Sequence, residues 1–284
     1  MPFQPTMLGT RYMVSAGHYL ATQAGFNVLE AGGNAVDAGV AAGMALAVVQ
    51  SDIVNVGGVA PMIIYLAEKN EVVTISGLGW WPKAAKLEVF LREHNGTVPA
   101  GVRRSVMPAA PDAWITALKA YGTMRFGDVA KAAIEYARDG FSVFQYLASA
   151  FKAGEESIRK WPSNTKVFLP DDRLLGVGDR FVQTDLAATI QFMADEEAAA
   201  ASKGREAGLE AARAAFYKGD IADRIVAHMA EYGGYLSRDD LANYRSQVGA
   251  PTQGRWRDFD VFTCGPWCQG PTLIQCLTLI EKLG

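Results

Sequence analysis

The cysteines and histidines that could attack a substrate or bind a metal ion are few and scattered in this chain of 284 residues. It has three cysteines and three histidines, which are Cys264, Cys268, Cys276, His18, His94 and His228. A structural zinc site needs four ligands, and a Cys-x3-Cys pair without a nearby histidine does not supply them. The odd cysteine count also argues against a secreted disulfide scaffold. We therefore expect neither a bound metal nor another cofactor.

Local nucleophile motifs are absent from the sequence. It has no Gly-x-Ser-x-Gly elbow, no His-Glu-x-x-His motif and no Cys-x-x-Cys pair. Cys268, in a turn rich in glycine and proline, is the best cysteine candidate, because a thiol and its histidine base meet in space rather than in sequence. The simpler interpretation of Cys268 is a small packed thiol. The glycine turn at 55–59 matches neither nucleotide-phosphate loop pattern.

Two adjacent tryptophans stand between glycines and a proline in the run Gly77-Leu78-Gly79-Trp80-Trp81-Pro82. Large rigid aromatic side chains either fill a core beside a turn or form the wall of a small-molecule pocket. Both interpretations remain open for Trp80 and Trp81. The run follows a predicted hairpin, whose two strands at 61–66 and 71–76 are apolar and rich in β-branched residues.

Glycines, caps and apolar periodicity predict the elements around this run. Gly32 and Gly33 end a helix at 21–31, and Asn34 with Asp37 forms a capping box for the next helix, at 35–49. A second capping box starts at Ser237. Strands are predicted at 12–16 and 258–263, and further helices from 111 onward and at 126–139, 146–160, 186–201, 219–232 and 273–283.

Composition and charge exclude several classes of partner. The net charge is −3, so there is no basic excess to attract nucleic acid or anionic lipid. The first residues carry no signal-peptide pattern, which predicts a cytoplasmic location, and the most apolar stretch, 40–49, is too short to span a bilayer. Residues 195–213 are densely charged and rich in alanine. We expect a solvated helical excursion there, with a lid or a subunit contact as the alternative.

Short motifs along the chain occur in an order typical of one enzyme family. They include Gly32-Gly33-Asn34-Ala35-Val36-Asp37-Ala38 and Phe262-Thr263-Cys264-Gly265-Pro266, and the others lie at 21–25, 56–58, 121–123, 137–141, 216–219, 233–236 and 240–244. In these motifs and their order, the chain resembles the large-subunit half of the gamma-glutamyltranspeptidase family from about Val14 to Leu283.

This resemblance implies an α+β fold of the N-terminal-nucleophile (Ntn) hydrolase type. That fold is a four-layer αββα sandwich, and this chain would supply only its large-subunit part, so that the central sheets are incomplete without the small subunit. The resemblance also implies a precursor that cuts itself. In this family the new N-terminal threonine of the small subunit is the nucleophile, its α-amino group can serve as the base, and an oxyanion hole holds the tetrahedral intermediate.

The sequence ends before the family's cleavage point, so we expect no catalytic residue in this chain. We predict a single truncated large-subunit domain over residues 1–284, inactive on its own. Its expected partners are the small-subunit segment that carries the threonine and a small-molecule amide substrate. The alternative is a non-catalytic binding or interaction module that retains the fold.

Leu78 departs from the family at a position that concerns the substrate. Members that act on gamma-glutamyl compounds have an Arg-Glu-x-Ala-Pro segment after the second hairpin strand, and its arginine clamps the substrate's α-carboxylate through two parallel hydrogen bonds. The matching stretch here begins with Leu78. Losing that clamp costs roughly 1.5–3 kcal/mol, about tenfold to a hundredfold in affinity. We therefore expect a substrate other than an ordinary gamma-glutamyl peptide, with Trp80 and Trp81 as an apolar wall.

Two more regions could contact the substrate. A replacement cation could come from Lys83, Arg103 or Arg104. The family also places a Pro-Pro-Ser-Ser-Gly-Gly-like turn close to its active site, and here that turn reads Pro266-Trp267-Cys268-Gln269-Gly270-Pro271. Trp267 and Gln269 either face a ligand or only shape the turn. The predicted substrate contacts are thus Leu78, Trp80, Trp81 and Gln269.

Overall fold

Helices form most of the described chain, and the strands are short. The structure is a computed structural model that describes residues 6–283; residues 1–5, where the absence of a signal-peptide pattern was noted, and Gly284 lie outside the described residues. The helices are α1 (Tyr19–Glu30), α2 (Ala35–Val49), α3 (Leu87–His94), α4 (Ala110–Tyr121), α5 (Phe126–Asp139), α6 (Gln145–Arg159), α7 (Pro162–Phe168), α8 (Thr184–Ala199), α9 (Arg205–Tyr217), α10 (Asp220–Tyr232), α11 (Arg238–Asn243) and α12 (Gly270–Leu283). The strands are β1 (Met62–Leu66), β2 (Glu71–Ile75), β3 (Phe141–Ser142), β4 (Arg180–Phe181), β5 (Val248–Gly249), β6 (Thr252–Trp256) and β7 (Phe259–Thr263). This content confirms the α+β class.

The chain folds as two units. Unit 1 comprises the residues up to Asn55 together with Tyr121–Ala198, and it contains α1, α2, α5 to α7, the short β3–β4 pair and nearly all of α8. Unit 2 comprises Val56–Ala120 and the residues from Ala199 onward. It contains an antiparallel sheet in the order β1–β2–β5 and the hairpin β6–β7. The single-domain organisation stays a prediction.

Small residues allow α1 and α2 of unit 1 to pack closely. α1 ends at Glu30, and Gly32 adopts a φ of +92°, which side chains with a Cβ rarely adopt. On α1, Gly25 faces α2, where an added Cβ would lie 2.9 Å from the carbonyl oxygen of Ala38. The predicted helix stop and the close packing of the second helix are therefore confirmed.

The predicted capping box at the start of α2 is confirmed and has additional partners. The N–H groups of Val36 and Asp37 donate to Asn34 Oδ1 (2.9 and 3.1 Å), and the Asn34 N–H donates to Asp37 Oδ2 (2.9 Å). The carboxylate of Asp37, which is fully buried, also accepts from the Thr123 N–H and hydroxyl and from the Met124 N–H at 2.7–3.1 Å. The box therefore ties the start of α2 to the loop before α5.

The strand predicted at 12–16 is wrong. A strand needs a ladder partner, and none of the strands in the described part of the chain pairs with this segment. The Ala16 N–H donates instead to Thr22 Oγ1 (3.2 Å) in the first turn of α1. His18 caps α1, because its Nδ1 accepts from the Leu20 N–H (3.2 Å). Burial lowers the pKa of the His18 imidazole, which favours the neutral form that can accept.

Most other predicted elements agree with the structure in type and position. The predicted hairpin is β1–β2, in which Met62 lies opposite Ile75. Ser237 and Asp240 form the second capping box, at the start of α11. The last helix begins at Gly270 rather than at residue 273, so the turn before it is shorter than predicted.

The charged stretch at 195–213 is not the solvated excursion that the sequence predicts. Glu197 on α8 and Arg213 on α9 are only 4% and 2% exposed. In unit 1, the two carboxylate oxygens of Glu197 accept from the N–H groups of Phe126 and Gly127, both at 2.7 Å. These N–H groups begin α5 and have no partner within the helix, so a carboxylate there satisfies them and complements the helix dipole.

We expect Glu197→Gln to lower the free energy of unfolding by about 1–2 kcal/mol, because it removes the charge and places an amide NH2 against a backbone donor. Urea unfolding followed by circular dichroism measures the change. Glu196→Gln alters the adjacent, exposed glutamate and serves as the matched control, with an unchanged midpoint expected. Equal midpoints for the two variants would show that Glu197 does not act as a cap.

Candidate substrate-contact site

The β1–β2–β5 sheet of unit 2 positions the site segment, which we define as residues 77–82. Pairing between the strands continues past the end of β2, since the Ser76 N–H donates to the Gln247 carbonyl (2.8 Å) and the Gln247 N–H donates to Ser76 Oγ (3.0 Å). These bonds fix the point at which the chain leaves the sheet. Leu78 follows two residues later.

Two glycines let the site segment pass close to neighbouring backbone. Gly77 has a φ of +50°, and its carbonyl accepts from the Ala60 N–H (2.9 Å). Gly79 lies so close to Met107 that an added Cβ would overlap the Met107 backbone. The Met107 N–H donates to the Trp80 carbonyl (2.9 Å). A side chain at either glycine would therefore displace the segment.

Both tryptophans of the site segment present about half of their surface to solvent. Trp80 is 50% exposed and Trp81 is 48% exposed. Each ring also makes one edge-to-face aromatic contact. Trp80 contacts Tyr244, with 5.4 Å between ring centroids, and Trp81 contacts Phe90, with 5.8 Å. Neither ring is a buried core aromatic. Each is fixed by one aromatic neighbour, which leaves an apolar surface available to a ligand.

Tyr244 connects the site segment to the interior of unit 2. Its hydroxyl donates to the Leu78 carbonyl (2.9 Å) and lies 3.4 Å from Ser246 Oγ. Its ring stacks on Tyr217 with 5.9 Å between centroids, and only 1% of the residue is exposed. The peptide of Leu78 is therefore held by a side chain from outside the segment.

A buried ion pair lies beneath Tyr244. Arg213 Nε donates to Asp112 Oδ1, and Arg213 Nη2 donates to the Tyr244 carbonyl. The Ser246 N–H donates to the other oxygen, Asp112 Oδ2 (2.6 Å). Asp112 and Arg213 are 0% and 2% exposed. Because both carboxylate oxygens have donors, the cost of burying the two charges is offset by specific hydrogen bonds.

Burial also keeps the two stacked phenols protonated. It raises the pKa of Tyr244 to about 12 and the pKa of Tyr217 well above its usual value. In the unfolded chain a tyrosine ionises near pH 10. The contribution of Tyr244 to stability is therefore complete below about pH 10 and is lost as the pH rises from about 10 through about 12. At neutral pH both hydroxyls remain donors.

The two arginines proposed as replacement cations bond to partners outside the site segment. Arg103 donates to the Gly233 carbonyl (3.2 Å) and lies 2.8 Å from His94 Nε2, and Arg104 donates to the Pro99 carbonyl (3.2 Å). The side chain of Lys83 is exposed.

Gln269 lies in its own turn, where its Oε1 accepts from Cys268 Sγ (3.5 Å). Within the described residues, Gln269 makes no hydrogen bond to the site segment. The structure thus brings Leu78, Trp80 and Trp81 together by chain proximity, and leaves the role of Gln269 as a prediction.

Sequence reasoning missed the residues that support the site segment. Arg213 was assigned to a solvated stretch, Asp112 only to a helix start, and Tyr244 only to a family motif. One signal for Arg213 was present: it lies four residues from both Leu209 and Tyr217, which are buried on α9. That spacing puts Arg213 on the apolar face of the helix. No local pattern indicates that Asp112 is its partner.

Comparison with known proteins decides the family. The model of the gamma-glutamyltranspeptidase family matches residues 21–284. This chain belongs to the gamma-glutamyltranspeptidase family. It is 32% identical to the glutathione hydrolase-like YwrD proenzyme of Bacillus subtilis, over 98% of this chain and 50% of that protein. It is 31% identical to the acylase ACY 1 proenzyme of a Pseudomonas species, over 96% of this chain and 48% of that protein.

A solved structure supports the same assignment. The gamma-glutamyltranspeptidase of Helicobacter pylori matches with a TM-score of 0.86 and 31% identity, over 99% of this chain and 77% of the solved chain. This match confirms the Ntn-hydrolase fold in its large-subunit part. The chain spans about half the length of the curated gamma-glutamyltranspeptidase relatives it matches.

The described part of the chain contains neither a metal-binding cluster nor a helix suited to crossing a membrane. Within residues 6–283, no three or more His, Cys, Asp and Glu side chains cluster in a way that suits a metal ion. None of the helices in that range has both the length and the apolar character needed to cross a membrane.

We expect Arg213→Lys to destabilise the protein by about 2–4 kcal/mol. A lysine ammonium cannot span Asp112 and the Tyr244 carbonyl as the planar guanidinium does, so one buried acceptor loses its donor. The midpoint of urea unfolding reports the loss. Arg224→Lys, at an exposed position of α10, is the matched control and should leave the midpoint unchanged. A midpoint for Arg213→Lys equal to that of the control would contradict the structural role of the ion pair.

Proposed function

We propose that this chain is the large-subunit portion of a gamma-glutamyltranspeptidase-like amidohydrolase or acyltransferase. Its catalytic N-terminal threonine then lies in a small-subunit segment outside this chain. Two findings support the proposal: the matched relatives are named proenzymes, and the chain spans about half their length. Autoprocessing of a precursor is part of the same proposal, as is a cytoplasmic location.

Exposed apolar side chains in unit 2 support a covering partner. They occur on the β6–β7 hairpin and on α12, and they are Phe259, Phe262, Leu273, Leu279, Ile280 and Leu283. Large apolar side chains that are exposed in this number on neighbouring elements are costly in water and favour a covering partner. We propose that the small-subunit segment covers these side chains.

The substrate that we propose is a small amide without the gamma-glutamyl α-carboxylate. The observation that carries this proposal is Leu78, a neutral apolar side chain at the family's arginine position, on a peptide that Tyr244 holds in place. A leucine cannot pair with a carboxylate, whereas Trp80 and Trp81 offer apolar surface beside it. The acylase name of one relative supports a range of amides within the family.

In the proposed reaction, the threonine hydroxyl attacks the amide carbonyl while the α-amino group accepts its proton. The tetrahedral intermediate then expels the amine, which takes that proton, and an acyl-enzyme ester remains. Water or a second amine attacks the ester and releases the acyl group. The role of this chain is to bind and orient the acyl part of the substrate, since we assign it no reacting group.

We expect the complete enzyme to hydrolyse non-glutamyl amides more efficiently than glutathione. Leu78→Arg should lower KM for gamma-glutamyl substrates by about tenfold to a hundredfold, the reverse of losing a charge-assisted clamp. Steady-state kinetics on both substrate classes measures this effect. Leu87→Arg adds the same charge at an exposed position of α3 and should change neither KM.

Efficient turnover of glutathione by the unmodified enzyme would overturn the substrate proposal and leave the amidase proposal standing. Failure of the complete enzyme to turn over any amide would overturn the amidase proposal itself and favour a non-catalytic binding module.

A further inference from the structure

We propose that Tyr244 is a positioning residue that sets the orientation of residue 78 and thereby the discrimination between acyl groups. This inference rests on the proposed function, because it concerns the same substrate-contact segment. It assigns Tyr244 no contact with the substrate. Its role is to hold the backbone from which the side chain at position 78 projects.

The residues on both sides of Leu78 do not by themselves restrict the backbone conformation. Gly77 and Gly79 flank it, and a glycine has more accessible backbone conformations than any other residue. A side chain between two glycines has no fixed direction unless the peptide itself is held. A specificity determinant at this position therefore needs an external restraint.

Three hydrogen bonds hold the carbonyls of residues 77, 78 and 80 of the segment. The Ala60 N–H holds the Gly77 carbonyl and the Met107 N–H holds the Trp80 carbonyl, both at 2.9 Å. Between them, the Tyr244 hydroxyl holds the Leu78 carbonyl at 2.9 Å. The first two bonds join backbone to backbone and are available to any residue types. The third depends on one side chain, so the sequence specifies it through Tyr244 alone.

The surroundings of Tyr244 make it a rigid restraint. Arg213 holds its carbonyl, Tyr217 stacks on its ring, and Trp80 packs edge-on against it at 5.4 Å. The hydroxyl is a donor at neutral pH, because a tyrosine ionises only near pH 10, and burial raises the pKa of Tyr244 further. One residue thus contacts both the Leu78 carbonyl and the Trp80 ring, and so holds two of the residues that we propose as substrate contacts.

The test compares Tyr244→Phe with Tyr136→Phe in the complete enzyme. Both remove one phenol hydroxyl that donates to a backbone carbonyl, because Tyr136 donates to the Leu20 carbonyl (3.3 Å) in unit 1. Hydrogen exchange of the Ala60 and Met107 amides, which donate to the Gly77 and Trp80 carbonyls of the segment, reports the restraint without any need for turnover. We expect their exchange to accelerate about fivefold or more in Tyr244→Phe, as for one lost hydrogen bond, and to be unchanged in Tyr136→Phe.

Kinetics supplies the second readout. In Tyr244→Phe we expect KM for the preferred amide to rise about fivefold with kcat within about twofold, since the reacting groups are untouched. In the Leu78→Arg background, Tyr244→Phe should abolish most of the gain in affinity for gamma-glutamyl substrates. A purely structural tyrosine would lower the unfolding midpoint without this coupling to position 78.

Two outcomes separate this inference from the proposed function. Unchanged exchange of the Ala60 and Met107 amides in Tyr244→Phe overturns the positioning role, whatever the enzyme's activity. Accelerated exchange in an enzyme that turns over no amide supports the restraint on the segment and overturns the proposed function. An unchanged KM together with accelerated exchange would overturn the link to specificity.

Discussion

The buried ion pair between Asp112 and Arg213 is the interaction on which the site in unit 2 depends. It joins α4 to α9, and each partner also bonds the segment around Tyr244 and Ser246. That segment leads into β5, the third strand of the sheet, and its tyrosine holds the Leu78 carbonyl. This ion pair therefore supports the segment that leads into β5 and, through Tyr244, the peptide of Leu78 and the ring of Trp80. Removing either charge would leave the other buried without its oppositely charged hydrogen-bond partner, which is the costly case for such pairs.

Two buried carboxylates of unit 1 also hold distant parts of the chain together. Asp37 and Glu197 accept hydrogen bonds from the N–H groups of distant loops and helix starts rather than from cations. A carboxylate is acceptor-only, so it can satisfy several orphan backbone donors at once. These buried charges are therefore part of the scaffold. A search for chemistry based only on charged residues in an apolar setting would have misassigned them.

The sequence predicted the elements whose determinants are local. The capping boxes at Asn34 and Ser237, the helix stop at Gly32 and the β1–β2 hairpin follow from turn chemistry and periodicity within a few residues. The false strand at 12–16 has apolar residues of the right type, but a strand exists only through a distant partner.

The residues that hold the site could not be predicted in the same way. Asp112 and Arg213 lie about a hundred positions apart, and no local pattern joins them. Leu78 was recognised only because a family resemblance supplied an expected arginine. Tyr244 meets Leu78 only through tertiary packing, so a single sequence does not predict this contact.

We propose that this chain orients an acyl group while a partner segment reacts with it. Intact-mass spectrometry of the complete enzyme, quenched with acid during turnover of an amide, shows which of the two becomes acylated. We expect the acyl mass to appear on the partner segment, at its N-terminal threonine, and the mass of this chain to stay unchanged. An acyl adduct on this chain, for example at Cys268, would contradict the claim.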